Sequence, residues 1–178
     1  GNPYREDMPW QQTVVFWADE RCVPPKEEGS NFREAERGLF QHIEIPQTSL
    51  KRINGELEPA EAARGYARIL MDYASPPLDW PRFDLVLLGM GADGHTASLF
   101  PGSKYPAESP TLAVTADHQG RPARRVTLTE LVFNSARQVL FLVSGESKAR
   151  MLARVIEGKH RPADLPAQRI RPTDGNMT

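Results

Sequence analysis

The stretch from Phe83 to Pro101, FDLVLLGMGADGHTASLFP, constrains the fold of this chain more than any other. Leu85 to Leu88 is an unbroken apolar run bounded by Asp84 and Gly89, which predicts a strand covered on both faces, as in a parallel α/β sheet. Gly89, Gly91 and Gly94 follow, and they permit sharp turns and close approach of the backbone to a ligand. Asp93 is placed to cap a following helix, with His95 in its first turn and Pro101 as its stop. His95 is therefore expected at the carboxyl edge of a strand, where open α/β sheets bind ligands.

That placement bears on the chemistry of His95. The positive end of a helix dipole disfavours a second positive charge and favours a neutral imidazole, which can act as a base. Asp93 acts in the opposite sense if it hydrogen-bonds the ring, but the same bond would fix tautomer and orientation. A lone histidine at a helix start reads more simply as a cap or a packing residue; the glycine-rich loop and the neighbouring acid favour chemistry. GMGADG also satisfies G-x-G-x-x-G, the pattern of a dinucleotide site. That reading is rejected. Asp93 would set a carboxylate where pyrophosphate lies, and Pro101 stops HTASLF short of the usual crossover helix. Asp117 falls near the spacing of a ribose-binding acid, yet no βαβ continuation follows it.

With 178 residues, 39% hydrophobic and 25% charged, the chain can form one globular domain with a sizeable core. Its 22 basic and 23 acidic side chains are interspersed and give a net charge of −1, so no general field exists for nucleic acid or an anionic membrane. An anionic ligand must be held by local cations. Apolar runs fall far short of the roughly 20 residues of a membrane span, and no secretory signal opens the sequence. The single cysteine, Cys22, cannot make an internal disulfide; a cytoplasmic protein is the expectation. His118 and His160 have no metal-ligand spacing with other His or Cys, and no metal is expected.

TVVFWA at 13–18 reads as a strand running into Asp19, Glu20 and Arg21, whose charges mark either a site edge or a solvated strand end. Cys22 beside Arg21 raises the idea of a thiolate nucleophile; a small side chain leaving a strand is the simpler reading. Ser30 or Asn31 can cap the helix FREAERGLFQHI, with Phe32, Ala35, Leu39 and Ile43 as its apolar stripe, Gly38 as a weak point, and His42 as a terminal cation or a surface residue. Glu58 to Ala74 predicts a better helix with Ala62, Tyr66, Ile69 or Leu70, and Tyr73 in the core. LAVTA and RRVTLT read as strands around a polar segment at 117–124, leaving Arg125 as either a ligand contact or a surface charge. QVLFLVS at 138–144 predicts a second buried strand. Gly145 then opens a helix that runs to Gly158 with Lys148 in its first turn, a place where a cation is unfavourable unless it points to solvent or an anion binds there. The alternation predicts a doubly wound, mostly parallel α/β sheet with helices on both faces, Rossmann-like. Ser98 is no candidate nucleophile, because Ala97-Ser98-Leu99 lacks the nucleophile-elbow pattern.

GMGADGHTASLFPGS resembles the signature of the 6-phosphogluconolactonases, within the larger group that includes glucosamine-6-phosphate deaminases. FWADERCVPP followed by SNFREA, RVTLT at Arg125 to Thr129, and SGESKA at Ser144 to Ala149 extend the resemblance from about Val14 to Pro172, in the family's order. It implies hydrolysis of 6-phospho-D-glucono-1,5-lactone to 6-phospho-D-gluconate in the oxidative pentose phosphate pathway. His95 would be the general base, Asp93 its orienter, and the backbone of Gly89, Gly91 and Gly94 would face the oxyanion. Asp19, Arg21, Asn31, Arg125 and Lys148 would surround the sugar phosphate. The resemblance implies no cofactor, a small-molecule sugar-phosphate lactone as the partner, and a monomer or at most a weak dimer. The chain departs from the family by lacking its opening βα unit with a phosphate loop and the tryptophan and aspartate that follow RIRPTDG. A single domain over 1–178, incomplete at both ends, is therefore expected. Two alternatives stand beside this one. An amino-sugar phosphate deaminase typically continues DGH with an isoleucine, alanine, phenylalanine, asparagine and glutamate pattern that HTASLFP lacks; a sugar-phosphate-binding module without chemistry would not need both Asp93 and His95.

Overall fold

Apolar runs and amphipathic segments alternate along the chain, and the computed structural model turns them into strands and helices over the described residues 3–105, 108–116, 120 and 122–178. The order is α1 (Pro3–Asp7), β1 (Val15–Phe16), β2 (Asp19–Arg21), α2 (Asn31–Gly38), β3 (Leu50–Lys51), α3 (Pro59–Met71), β4 (Val86–Leu88), β5 (Thr111–Thr115), β6 (Arg124–Leu128), α4 (Glu130–Asn134), β7 (Gln138–Phe141), α5 (Ala149–Ile156) and β8 (Asn176–Met177). β1 pairs in parallel with β3, and β4, β7 and β8 form a parallel sheet in that order. The α/β, mostly parallel character read from the alternation is thus present in two sheets. A third sheet, β2-β6-β5, is antiparallel, with β6 at its centre. The strands read at LAVTA and RRVTLT form this hairpin; Asp117 and His118 between them lie outside the described residues.

α3 starts with proline in its first turn, where the missing N–H costs no helical hydrogen bond, and carries Glu61 early and Arg68 late, matching its dipole. Its buried face is Ala62, Ala63, Tyr66 and Leu70, which packs on β5 and β6. Tyr73, expected on that stripe, lies past the helix end, with its ring edge against Phe16. The Tyr66 hydroxyl is fully buried. It accepts from the Trp17 N–H at 2.8 Å and donates to the Trp17 carbonyl at 3.0 Å, so one side chain satisfies both backbone groups between β1 and β2. Burial drives its phenol pKa above the ordinary value, and the bond to Trp17 only partly offsets that, so the group stays a neutral donor.

Two expectations need correction. α2 is capped by Ser30, whose hydroxyl accepts from the Arg33 N–H at 3.2 Å, but it stops at Gly38. The chain then tightens into a 3-10 turn at Phe40–His42, which rotates Phe40 into the core and leaves Leu39 exposed. A His42 ring nitrogen sits 3.1 Å from the Arg37 carbonyl near the helix end, in keeping with its expected terminal place. Second, among the described residues β4 is covered on one face, not two. Val86 and Leu88 are buried, whereas Leu85 and Leu87 are 50% and 54% exposed and Leu142, just past β7, is 61% exposed. Side chains alternate across a strand, so an all-apolar run cannot say whether a second layer lies within the same stretch of chain. Among the described residues, no helix is long and apolar enough to cross a membrane.

Tyr66→Phe should destabilise the protein by about 1–3 kcal/mol, because it strands a buried N–H and C=O of Trp17. Urea unfolding should show a lower midpoint with an unchanged slope; an unchanged midpoint would mean that the backbone finds other partners.

Candidate active site

Immediately after β4 the chain folds back on itself rather than forming the expected helix. Gly94 has φ +85° and Ala97 has φ +47°, two positive values that a right-handed helix cannot contain. The Gly91 N–H donates to the His95 carbonyl at 2.9 Å, the Gly94 N–H to the Gly91 carbonyl at 3.1 Å, and the Leu99 N–H to the Thr96 carbonyl at 2.9 Å. Thr96 Oγ1 ties the turn to the Gly89 carbonyl at 2.8 Å. Asp93 is therefore no helix cap, and the dipole argument for a neutral His95 lapses. Of the amides expected to face an oxyanion, those of Gly91 and Gly94 are engaged inside the loop.

The Asp93 carboxylate instead holds His95. Its Oδ1 lies 2.5 Å from His95 Nδ1 and accepts from the His95 N–H at 3.2 Å. Burial would raise the Asp93 pKa, but these bonds outweigh it and hold the carboxyl below its ordinary value. An ionised carboxylate only accepts, so the ring proton resides on Nδ1 and Nε2 is the basic atom. Gly91 makes this possible: a β-carbon there would collide with the His95 ring and sit 2.7 Å from Asp93 Oδ1. The Phe100 ring lies under both His95, at 4.8 Å between centroids, and Arg125, at 5.4 Å from the guanidinium carbon. Neither Phe100 nor its bridging role was evident from the sequence.

β2 and β6 build the opposite wall. Arg21 and Arg125 are directly paired across the antiparallel strands, and like charges so placed repel unless an anion or a ring compensates. The Arg21 guanidinium donates to the Gly29 carbonyl at 2.7 Å, while its Nε is buried without a hydrogen-bond partner. Asp19 points to the same side: its Oδ1 accepts from Asn31 Nδ2 at 3.1 Å and its Oδ2 from the Ser98 hydroxyl at 2.6 Å. Ser98 thus donates to a carboxylate and has no imidazole beside it in these contacts. Glu20, the middle of the acid-acid-arginine triplet, turns to the far side of β2, as strand alternation requires. The triplet is itself a strand and not the end of TVVFWA, a distinction its apolar neighbours concealed. Lys148 closes a third side from the 3-10 turn Glu146–Lys148 that precedes α5.

These groups surround one solvent-open cleft of about 450 Å³, lined by Asp19, Arg21, Asn31, Gly89, Gly91, His95, Arg125 and Lys148 together with Ser147. Asp93 stands behind His95, and Gly94 turns away toward Leu165. Cys22 is not in the lining; burial pushes its thiol up despite Arg124 nearby, the reverse of an activated thiolate. Among the described residues, no group of three or more His, Cys, Asp and Glu side chains could hold a metal ion.

Fold and site define an α/β protein whose polar cleft opens where parallel strands end, carrying three cationic side chains and an Asp–His pair. The family model for glucosamine-6-phosphate isomerases/6-phosphogluconolactonase matches residues 2–178, and the chain belongs to that family. It is 36% identical over 174 residues to the 6-phosphogluconolactonase of Haemophilus influenzae, covering 98% of this chain and 73% of that protein. It is 35% identical to the 6-phosphogluconolactonase of Treponema pallidum, covering 92% of this chain and 68% of the other. The crystal structure of 6-phosphogluconolactonase from Thermotoga maritima superposes with a TM-score of 0.82 at 30% identity, over 98% of this chain and 76% of that one.

The depressed Asp93 pKa gives a signed pH prediction. The stability contributed by the ionised pair is present above the ordinary aspartate value and is lost as pH falls through the lower native one. Melting temperatures of wild type and Asp93→Asn should differ near neutrality and converge in acid. A gap that is constant with pH would show that the pair does not depend on the Asp93 charge.

Proposed function

We propose that this chain hydrolyses 6-phospho-D-glucono-1,5-lactone to 6-phospho-D-gluconate, with His95 as the general base. The observation that carries the reading is the combination, in one cleft, of an oriented imidazole with Arg21, Arg125 and Lys148. Kinship with 6-phosphogluconolactonases supports the same conclusion. The cations suit a phosphate dianion: the arginines offer planar forks for bidentate contacts, and Lys148 adds a mobile point charge.

In this mechanism the phosphate end is anchored among the cations and the lactone carbonyl lies toward His95. Nε2 takes a proton from water as the water oxygen bonds to the carbonyl carbon. The Asp93 carboxylate stabilises the imidazolium so formed, without accepting its proton. Collapse of the tetrahedral adduct breaks the ring carbon–oxygen bond, and the imidazolium returns its proton to the departing ring oxygen. Asp19 and Asn31, already bonded to each other, are placed to receive sugar hydroxyls.

Assayed on freshly made lactone against glucosamine 6-phosphate, the protein should open the first and leave the second unchanged. His95→Asn should lower kcat by about 10²- to 10⁴-fold, the range of a general base. Release of ammonia from the amino sugar, or a wild-type rate in His95→Asn, would contradict the reading.

Arg21→Ala and Lys148→Ala should each weaken substrate recognition by about 1.5–3 kcal/mol, the scale of a charge-assisted hydrogen bond. The loss should appear in kcat/KM for the phosphorylated lactone and be smaller for its unphosphorylated counterpart. Equal losses on both would assign these cations to the fold rather than to the phosphate.

A further inference from the structure

We infer that Glu20 is a positioning residue, a buried carboxylate behind the cleft wall that holds Asp19, Arg21 and Asn31 in one arrangement. The inference rests on the lactonase reading and deepens it. Glu20 is 2% exposed, and its side chain lies on the face of β2 opposite the cleft residues Asp19 and Arg21. Its Oε1 accepts from the backbone N–H of Arg21 at 2.7 Å and from that of Asn31 at 2.6 Å. Its Oε2 accepts from the Phe32 N–H at 2.8 Å and from the Ser30 hydroxyl at 3.0 Å.

Every donor belongs to a segment that carries a cleft residue. Burial raises the Glu20 pKa above its ordinary value, and the N–H groups at the helix start, which lack intrahelical partners and attract negative charge, offset part of that rise. The local cap of α2 is already supplied by Ser30. What Glu20 adds is a bond between the helix start and a strand eleven residues earlier. On the cleft side, Asn31 Nδ2 returns the connection by donating to the Asp19 carbonyl at 2.9 Å as well as to Oδ1. Strand and helix are therefore tied front and back, and the front tie is the one the substrate meets. If the back tie is loosened, Asn31 and Asp19 no longer hold their mutual distance, and small displacements of positioning groups carry large rate penalties.

Glu20→Gln tests this with little change of size, since its amide would turn a donor toward groups that are themselves donors. The variant should stay folded by near-UV circular dichroism while kcat/KM for the lactone falls between about 10-fold and about 10²-fold. Asn31→Ala should also lower kcat/KM, and the double variant should lose less than the product of the two single losses, as expected for two residues that set one arrangement. Multiplicative losses, or a Glu20→Gln protein with wild-type kcat/KM and only a lower melting temperature, would reduce Glu20 to a structural cap and overturn the inference. Should Glu20→Gln fail to fold, Glu20→Asp, which keeps the charge but draws the carboxylate back from the α2 N–H groups and leaves the Ser30 cap in place, takes its place in the cycle with the same outcomes. The side-chain NH₂ signals of Asn31 in a ¹⁵N-labelled sample read the geometry without turnover. They should shift in Glu20→Gln; unmoved signals would sink the positioning role whatever the substrate. Failure of the wild-type protein to open the lactone would sink the proposed reaction instead.

Discussion

The loop after β4 depends on the hydrogen bond between the Asp93 carboxylate and His95 Nδ1. That bond seats the imidazole inside the turn, and the same oxygen accepts the His95 backbone N–H. The bond also requires Gly91, whose missing side chain leaves room for the imidazole. Once the ring is seated, Thr96 and Leu99 close the turn, Ser98 reaches Asp19, and Phe100 comes to lie beneath His95 and Arg125. The packing of the loop and the orientation of its histidine thus have the same cause.

The opposite wall follows a different rule. A strand of three residues cannot bury a charge and expose its neighbours to the same cleft except by alternation, and β2 uses all three positions: Asp19 and Arg21 forward, Glu20 back. Pairing Arg21 with Arg125 concentrates positive charge that the net charge of −1 would never suggest. Local register, not overall composition, makes the site attractive to an anion.

Much of this was legible in the sequence. Glycines, acid and histidine in the order GMGADGH pointed to a glycine loop at a strand end, and the strand and the part of the cleft lined by Gly89, Gly91 and His95 are where that order placed them. The helix expected after Gly94 was not legible as absent, because Ala97 adopts a left-handed conformation that its side chain gives no hint of. Glu20 was hidden because three charged residues after an apolar run read as a strand end, whereas pairing with β6 makes them a strand. Leu85 and Leu87 lie open among the described residues for a related reason: apolar runs record what a strand needs to bury, not what lies against it. The chain spans 73% and 68% of the two relatives' lengths.

The central claim is that Asp93 fixes His95 with its proton on Nδ1, leaving Nε2 to act as the base. Long-range ¹H–¹⁵N correlation spectra of the wild-type imidazole, recorded near neutral pH with and without 6-phosphogluconate, measure this directly. The account predicts a protonated Nδ1 and an unprotonated Nε2 in both samples, with the pattern disrupted in Asp93→Asn. A proton resident on Nε2, with Nδ1 bare, would contradict it.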